Sequence, residues 1–345
     1  MRPTLARRLK TLLAATFFAA SPVSARAVEA GLVEAARKEG KVVWYTTQII
    51  NQFARPAAEV FEKKYGIKVE YIRADPNEIA LRISNEAKAG KVLADIFDGF
   101  GMPALVRAGF VEKWVPDTAK RLPQQFWDPN HYWAAPNIFV LTPGFNTELV
   151  KKGTEPKTFA ALLDPKWRGK MVWSSRMSAS SAPGFIGAAL TEMGEEKGMD
   201  YLKKLAEQKI VNVDAAARQL MDQIIAGVYP LGLQMFNHHA VISAGQGAPS
   251  AWIAMEPATV VLSVLHLTAR SPHPNAGKLL FDFLQSAEGQ VLFRDADYMP
   301  VDPAVPPRDP TLRPDTGKFR ARYFNPDELD AAMPKWQEVY LKMFR

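Results

Sequence analysis

Two adjacent histidines follow a run of apolar residues that is typical of a buried strand. The run is Leu231–Phe236, and Asn237, His238 and His239 come directly after it. In open α/β sheets, ligands bind at the carboxyl ends of the strands. Imidazole and amide groups there can donate or accept hydrogen bonds, and imidazole can also bind a metal ion. The pattern therefore predicts a ligand site at 237–239, although one ring in the core and one in water would fit the same sequence.

A second group of candidate binding residues lies in the serine-rich segment 174–181. These residues are Ser174, Ser175, Arg176 and Ser180. A strand is predicted before them at 170–173, and a helix after them. Hydroxyl groups, a guanidinium and backbone N–H groups at a helix start are the donors that a phosphate or carboxylate requires. N-capping in a solvated loop is the alternative. Arg218, early in a predicted helix, is interpreted as a surface cation or an indirect partner.

Two earlier predicted strands, at 41–45 and 94–97, also end in candidate binding residues. The residues after them are Thr46, Thr47 and Gln48, and Asp98 and Gly99. The carboxyl ends of neighbouring parallel strands lie at one edge of a sheet. We therefore expect all four groups of residues to face one cleft.

Helical and strand patterns alternate among the elements that position these residues. In the N-terminal third this alternation predicts an α/β lobe with a mostly parallel sheet. One helix start is well marked, because Asp75, Pro76 and Glu78 supply an N-cap acid, a first-turn proline and a capping-box glutamate. Apolar runs without helix signals, at 137–142 and 259–267, predict two strands that cross between lobes and act as a hinge.

The predicted domain organisation follows from these two crossings. Residues 28–137 and 258–300 are predicted to form the first lobe, and residues 138–257 the second. Residues 301–345 are predicted to form a C-terminal helical tail packed on the body of the protein, because a proline-rich stretch leads into an amphipathic helix.

Residues 1–27 are predicted to be a secretory signal peptide. A positive start, a short apolar core and small residues before Ala27 fit cleavage there and export to the periplasm. This segment contains five of the 43 Arg and Lys residues and none of the 36 acidic residues. Its removal leaves a nearly neutral chain, so the charge gives no support for a nucleic-acid partner. The chain has no cysteine, which excludes disulfides, thiolate metal sites and cysteine nucleophiles.

Several segments along almost the whole mature chain resemble the extracellular solute-binding proteins of bacterial ABC importers. They are KVVWYTT, FNTELVKKGTEPKTFAALLDPKW, GEEKGMDYLKKLAEQK, AGVYPLG, QGAP and HPNAGKLLFDFLQSAEGQ. The likeness is to family 1 of these proteins, in the branch of the periplasmic ferric-ion-binding and thiamine-binding receptors. It implies a two-lobed, type II (Venus-flytrap) α/β fold with two hinge strands and one ligand in the cleft. It also implies a monomer without a cofactor that delivers a small-molecule solute to an ABC permease in the inner membrane.

The histidine pair departs from the ferric-binding pattern. Ferric-binding proteins carry two tyrosines where this chain has His238 and His239. Phenolate oxygens suit hard Fe(III), whereas neutral imidazole suits softer divalent ions or donates a hydrogen bond. We therefore expect a small anionic organic solute, held by hydroxyl groups, Arg176 and the histidines. The alternative is a receptor for ferric iron, another metal ion or thiamine, with a metal held by the histidines and Asp98 or Glu256.

The sequence lacks the common catalytic motifs. It has no nucleophile elbow, no H-E-x-x-H and no glycine-rich phosphate loop. The prediction is therefore a binding protein that releases its solute unchanged, and not an enzyme. A hydrolase that uses Asp98 and a histidine, and a receptor that signals to a sensor kinase, are the two alternatives.

Overall fold

The protein is described by a computed structural model that covers residues 22–345, with side chains from residue 30 onward. Residues 1–21, the larger part of the predicted signal peptide, lie outside the described residues. Within 22–345, the strands are β1 (Lys41–Thr46), β2 (Lys68–Arg73), β3 (Ile96–Gly99), β4 (Val111–Glu112), β5 (Ala134–Asn146), β6 (Met171–Ser174), β7 (Val211–Val213), β8 (Leu231–Phe236), β9 (Ser250–Trp252), β10 (Ala258–Thr268), β11 (Met299–Pro300) and β12 (Ala321–Phe324).

Helices cover the faces of the sheet. The α-helices are α1 (Pro22–Glu39), α2 (Arg55–Tyr65), α3 (Pro76–Lys88), α4 (Pro103–Arg107), α5 (Asp117–Lys120), α6 (Ala182–Met193), α7 (Glu195–Ala206), α8 (Ala217–Ile225), α9 (Asn237–Gly245), α10 (Pro274–Gln285), α11 (Ala287–Asp295), α12 (Pro314–Gly317) and α13 (Pro326–Met343). In the part of the chain that the structure describes, no helix combines the length and apolar character needed to cross a membrane.

The strands form a single sheet with a parallel group on each side. Its main path runs β2-β1-β3-β10-β5-β8-β6-β7. β1 pairs in parallel with β2 and β3, and β6 pairs in parallel with β7 and β8. The mostly parallel sheet expected for the N-terminal third is therefore present, and a second parallel group follows it along the chain.

The long strands β5 and β10 connect the two parallel groups. They pair with each other in antiparallel fashion, from Leu265 opposite Ala134 to Thr259 opposite Leu141. β10 also pairs with β3, whereas β5 continues into pairing with β8 and β9. Every residue of both strands is buried. These are the two crossing strands that the sequence predicts, and they make the fold a two-lobed α/β architecture with β1–β3 in the first lobe and β6–β8 in the second.

Local signals explain most of the helix boundaries. The Asp75 N–H donates to the Glu78 carboxylate at 3.4 Å, which is the predicted capping box at the start of α3. Ser286 separates α10 from α11, and its Oγ accepts from the Gly289 N–H at 3.2 Å. Helix α11 and the strands β9, β11 and β12 have no counterpart among the predicted elements. The helix predicted at 158–163 is a short 3₁₀ turn, Ala160–Leu163.

The C-terminal segment 301–345 contains a strand as well as helices. β12 pairs in parallel with β10, from Ala321 opposite Ala258 to Phe324 opposite Val261. Helix α13 packs against α6 of the second lobe. Gly187 of α6 lies against the Trp336 ring of α13 so closely that a Cβ atom there would overlap the ring. The segment therefore contributes a strand to the sheet, which the sequence does not predict. Its last helix packs on the body of the protein, as predicted.

Candidate functional site

Two adjoining cavities lie where strand ends and helix starts of both lobes meet. The inner cavity has a volume of about 50 Å³. Side chains with hydrogen-bonding or charged groups that line it include Thr47, Arg73, Arg218, His238, His239 and Tyr298. The outer cavity has a volume of about 380 Å³ and is lined by the serine-rich segment and by residues 75–78. Asp75 and Ser180 line both cavities, so a single ligand can occupy the two together.

The two histidines stand in the first turn of α9, directly after β8. His238 is 0% exposed and His239 is 4% exposed, with their ring centres 4.5 Å apart. The His238 ring stacks on Phe139 at 5.5 Å and lies 4.7 Å from the Tyr298 ring. Neither nitrogen of His238, nor Nδ1 of His239, forms a hydrogen bond with any residue that the structure describes. The predicted residues thus lie at the expected strand end, but deep in the wall of a cavity.

Both imidazoles are held in the neutral form. Burial lowers the pKa of His238 to about 3, and the neighbouring Arg218 guanidinium acts in the same direction. Burial also lowers the pKa of His239 well below its usual value, with further lowering by His238, Arg218 and Arg73. A neutral imidazole carries one N–H donor and one acceptor nitrogen. Each ring can therefore offer a hydrogen bond to a ligand without carrying a charge itself.

Two arginines reach the inner cavity from opposite lobes. Arg218 lies in the first turn of α8, and its guanidinium donates to Ser243 Oγ at 2.9 Å and pairs with Asp222. Arg73 is the last residue of β2 and lines the cavity, and its guanidinium has no hydrogen bond or ion pair with the residues described. Arg218 was interpreted from the sequence as a surface cation or an indirect partner, and Arg73 was not among the predicted residues. The strand-end argument applied to Thr46–Gln48 would have found Arg73, because it stands at the carboxyl end of a parallel strand.

Tyr298 supplies a hydroxyl group that the sequence patterns do not mark. Its Oη accepts from the Ile49 N–H at 3.1 Å, which leaves its own proton free to donate into the cavity. Burial raises the pKa of this phenol, so it stays protonated at neutral pH. The residue precedes the two-residue strand β11, where no strand or helix pattern extends far enough to be recognised.

Of the candidates at the ends of β1 and β3, Thr47 lines the inner cavity and the others lie outside its lining. Asp98 accepts hydrogen bonds from Trp44 Nε1 at 2.8 Å and from the Thr47 N–H at 2.8 Å. Burial raises the pKa of Asp98, although these hydrogen bonds oppose the shift. Asp98 therefore fixes the loop that presents Thr47.

The other three residues of this group are also packed within the protein. Thr46 Oγ1 accepts from the Gln48 N–H at 3.0 Å. Gln48 Nε2 donates to Ser263 Oγ at 3.0 Å. Gly99 is buried, and a Cβ atom there would lie 2.6 Å from Met102 Cε. These residues shape the support of the cavity and do not line it.

The serine-rich segment borders the outer cavity. Ser174, Arg176 and Ser180 line it, whereas Ser175 lies outside the lining of both cavities. Arg176 forms ion pairs with Asp75 of the first lobe and with Asp214 of the second. The guanidinium that the sequence assigns to the ligand is thus paired with two carboxylates, one of them across the cleft.

The last two candidates lie apart from the cavity lining. Asn237 is fully buried, and its Nδ2 donates to the Leu312 carbonyl at 2.7 Å. Glu256 is 45% exposed at its side chain and lies 3.7 Å from Arg320. Among the described residues, no group of three or more His, Asp, Glu or Cys side chains is placed to hold a metal ion. The structure therefore does not bring Glu256 together with the two histidines.

Both the sequence and the fold are similar to known bacterial binding proteins. The sequence model of a family described as bacterial extracellular solute-binding proteins matches residues 92–320. No curated protein sequence matches the chain. Solved structures with a similar fold include the periplasmic binding protein P5PA, with a TM-score of 0.76 and 20% identity, over 89% of this chain and 100% of that one.

Two further structures carry a ligand. The periplasmic binding protein AfuA from Actinobacillus pleuropneumoniae, with fructose-6-phosphate bound, has a TM-score of 0.74 and 23% identity, over 87% of this chain and 98% of that one. Iron-bound HitA from Pseudomonas aeruginosa has a TM-score of 0.70 and 20% identity, over 87% of this chain and 99% of that one. At these identities the comparisons establish a shared two-lobed fold, while the ligands differ among its members.

Proposed function

Since the chain belongs to the bacterial extracellular solute-binding proteins, we propose that it binds a small anionic organic solute in the cleft between its lobes. The family implies that the solute is passed to the permease of an ABC importer. We place the mature protein in the periplasm, as a monomer released from a signal peptide cleaved after Ala27. It returns the solute unchanged and has no catalytic role.

The unpaired histidine nitrogens carry this proposal. Three imidazole nitrogens of His238 and His239 are buried without a hydrogen-bond partner among the described residues. A buried polar group left without a partner costs about 1–3 kcal/mol. A ligand in the inner cavity can supply the partners, because both rings line it. The arrangement is therefore suited to binding: its polar groups gain their partners when the solute arrives.

The charges around the rings favour an anion over a metal cation. Arg73 and Arg218 both line the cavity and repel cations. The imidazoles are neutral, and the Tyr298 phenol keeps its proton because burial raises its pKa. Fe(III) prefers anionic oxygen ligands, which this lining does not offer apart from Asp75, and Asp75 is paired with Arg176. The lining offers an organic anion the donors of two guanidinium groups, the Tyr298 hydroxyl and the imidazoles.

Binding of a metal ion is the second candidate function. It is favoured by the similar fold of iron-bound HitA and by the proximity of the Tyr298 phenol to the His238 ring, whose centres are 4.7 Å apart. The two arginines in the same lining argue against it. Analysis of the purified protein for metal and for organic ligand separates the two candidates.

The test combines native mass spectrometry with one matched pair of variants. Mature protein isolated from the periplasm should carry a co-purified organic anion. His238→Gln should weaken rebinding of that compound about tenfold or more, because it removes one hydrogen bond to a charged group. His266→Gln is the control, because His266 is equally buried but bonded to the Tyr132 carbonyl and absent from the inner lining. A stoichiometric metal ion, or equal rebinding by both variants, would contradict the proposal.

A further inference from the structure

The two cavities differ in size and therefore in what they can hold. A buried water needs roughly 10–15 Å³ of such volume, so the inner cavity of about 50 Å³ has room for one small group of atoms. The outer cavity of about 380 Å³ has room for the larger part of a metabolite. A ligand that fills both has a small head at the histidines and a larger body at the serine-rich segment.

Three helices begin at the inner cavity. They are α3, α8 and α9, with 13, 9 and 9 residues, and the lining includes their first-turn or N-cap residues Pro76, Ala216 and His238. A helix start carries a partial positive charge, although side chains of Glu78 and Gln219 accept from the N-cap N–H groups of α3 and α8. Helix starts alone do not specify a ligand. Here they converge on His238, which is 0% exposed and has both ring nitrogens without a partner in the described structure.

Full charges add to these partial charges from both lobes. Arg73 comes from the first lobe and has no ion pair with the residues described, whereas Arg218 comes from the second and is shared with Asp222. Asp75 is the one carboxylate in the described lining, and Arg176 pairs with it. The lining of the inner cavity therefore has two guanidinium groups and one carboxylate, which is an excess of positive charge.

The donors of the inner cavity come from separate elements of the fold. Arg73 enters from β2, His238 and His239 from α9, and Tyr298 from the segment before β11. A planar carboxylate presents its acceptor sites in one plane, while a phosphoryl group presents three oxygens around a tetrahedron. A phosphomonoester also carries a charge of about −1.5 to −2 at pH 7. Its charge matches the two guanidinium groups of the lining better than the single charge of a carboxylate does.

The outer cavity has both hydroxyl and charged groups in its lining. The polar and charged residues are Ser174, Ser178, Ser180, Ser181, Asn77, Arg176, Asp75, Glu78 and Asp214. Ser178 Oγ lies 3.2 Å from Ser180 Oγ and 2.9 Å from Ser181 Oγ, and Asn77 faces them from the first lobe. The Arg176 charge is committed to Asp75 and Asp214. The serine hydroxyls and carboxylates can hydrogen-bond to the hydroxyl groups of an uncharged body, and the carboxylates disfavour a second anionic group.

We propose that the solute is a phosphomonoester whose phosphoryl group occupies the inner cavity between Arg73 and Arg218, with a hydroxylated body in the outer cavity. The proposal rests on the function proposed above and specifies its ligand class. Recognition of the head is shared between the lobes, because Arg73 belongs to the first and Arg218 to the second. Binding therefore draws the two lobes together.

Calorimetric titration with matched small probes tests the head group. The mature protein should bind glycerol 3-phosphate at least tenfold more tightly than glycerate, which replaces the phosphoryl group with a carboxylate, and should not bind glycerol. Arg73→Gln should lower the affinity for glycerol 3-phosphate at least tenfold. Lys68→Gln is the matched control, since Lys68 stands at the opposite end of β2 and pairs with Glu70. The control should bind like the wild type.

The outcomes separate this proposal from the function on which it rests. Failure of glycerol 3-phosphate to bind, a preference for glycerate, or unchanged affinity in Arg73→Gln overturns the phosphomonoester. If the protein prefers glycerate and His238→Gln loses glycerate binding, the phosphomonoester is wrong but the proposed binding of an organic anion is supported. Stoichiometric iron in the isolated protein, with no binding of either anion, would overturn both.

Discussion

Lowering the pH should destabilise the ligand-free protein through its buried histidines. The pKa of His238 is lowered to about 3 in the folded protein, first by burial and then by Arg218. In the unfolded chain a histidine has a pKa of about 6.5. Between these values the unfolded state binds more protons than the folded state, so the free energy of unfolding falls as the pH falls. The stabilising contribution is intact above pH 6.5 and is lost progressively below it.

The size of the effect follows from the two pKa values of His238. Moving from pH 7 to pH 5 should lower the free energy of unfolding by about 2 kcal/mol for this one residue. Burial also lowers the pKa of His266, to about 4, although its bond to the Tyr132 carbonyl opposes this. His266 should therefore contribute a further loss of about 2 kcal/mol over the same interval. Since whole proteins are stable by about 5–15 kcal/mol, either loss is measurable.

Urea denaturation at pH 7 and pH 5, followed by tryptophan fluorescence, measures the effect. The wild type and His238→Gln should be compared, because glutamine stays hydrogen-bonding but does not titrate. The pH-dependent loss should be smaller in the variant by about 2 kcal/mol, and His266→Gln should show a similar reduction. An identical loss in the wild type and His238→Gln would mean that His238 is not held neutral in the folded protein, and would contradict a cavity lined by uncharged imidazoles.

Two further predictions concern the contacts between the lobes and the C-terminal helix. Arg176→Gln removes the ion pair to Asp75 across the cleft, so the ligand-free protein should have a larger radius in small-angle scattering. The free energy of unfolding should fall by less than about 1 kcal/mol. Asp214→Asn keeps that ion pair and is the control; an equal change in both variants would contradict the prediction. Gly187→Ala would overlap the indole of α13 and should cost about 1–3 kcal/mol in urea denaturation, whereas Gly31→Ala, with open space around it in α1, should stabilise slightly. Equal stabilities of the two alanine variants would mean that the Trp336 ring of α13 does not pack on Gly187.

The fold was predictable wherever the relevant signal is local. The strand Leu231–Phe236 has the predicted bounds, because an apolar run of that length next to polar residues leaves little choice. The start of α3 follows from the capping residues around Pro76. The two crossing strands were recognisable because strands buried on every residue read as continuous apolar runs. The short strands β9, β11 and β12 were not, since two to four residues carry no periodicity.

The site was predictable only in part, because strand ends locate a cleft without saying which side chains turn into it. Thr47 lines the inner cavity, while its neighbour Gln48 points to Ser263 and Asp98 points to Trp44. These differences depend on partners distant in sequence: Gln48 and Ser263 are separated by 215 residues. No pattern within one element contains that information.

The two arginines of the second lobe illustrate the same limit. Arg176 and Arg218 both lie beside a helix start near strand ends, and the sequence favoured Arg176 as the ligand-binding cation. Asp75, which precedes Arg176 by about a hundred residues, comes from the other lobe and takes its charge. Arg218 pairs with Asp222 on its own helix, donates to Ser243 Oγ of α9 and lines the inner cavity. How much of the Arg176 charge remains for a ligand therefore depends on where Asp75 lies, and only the folded chain brings these two residues together.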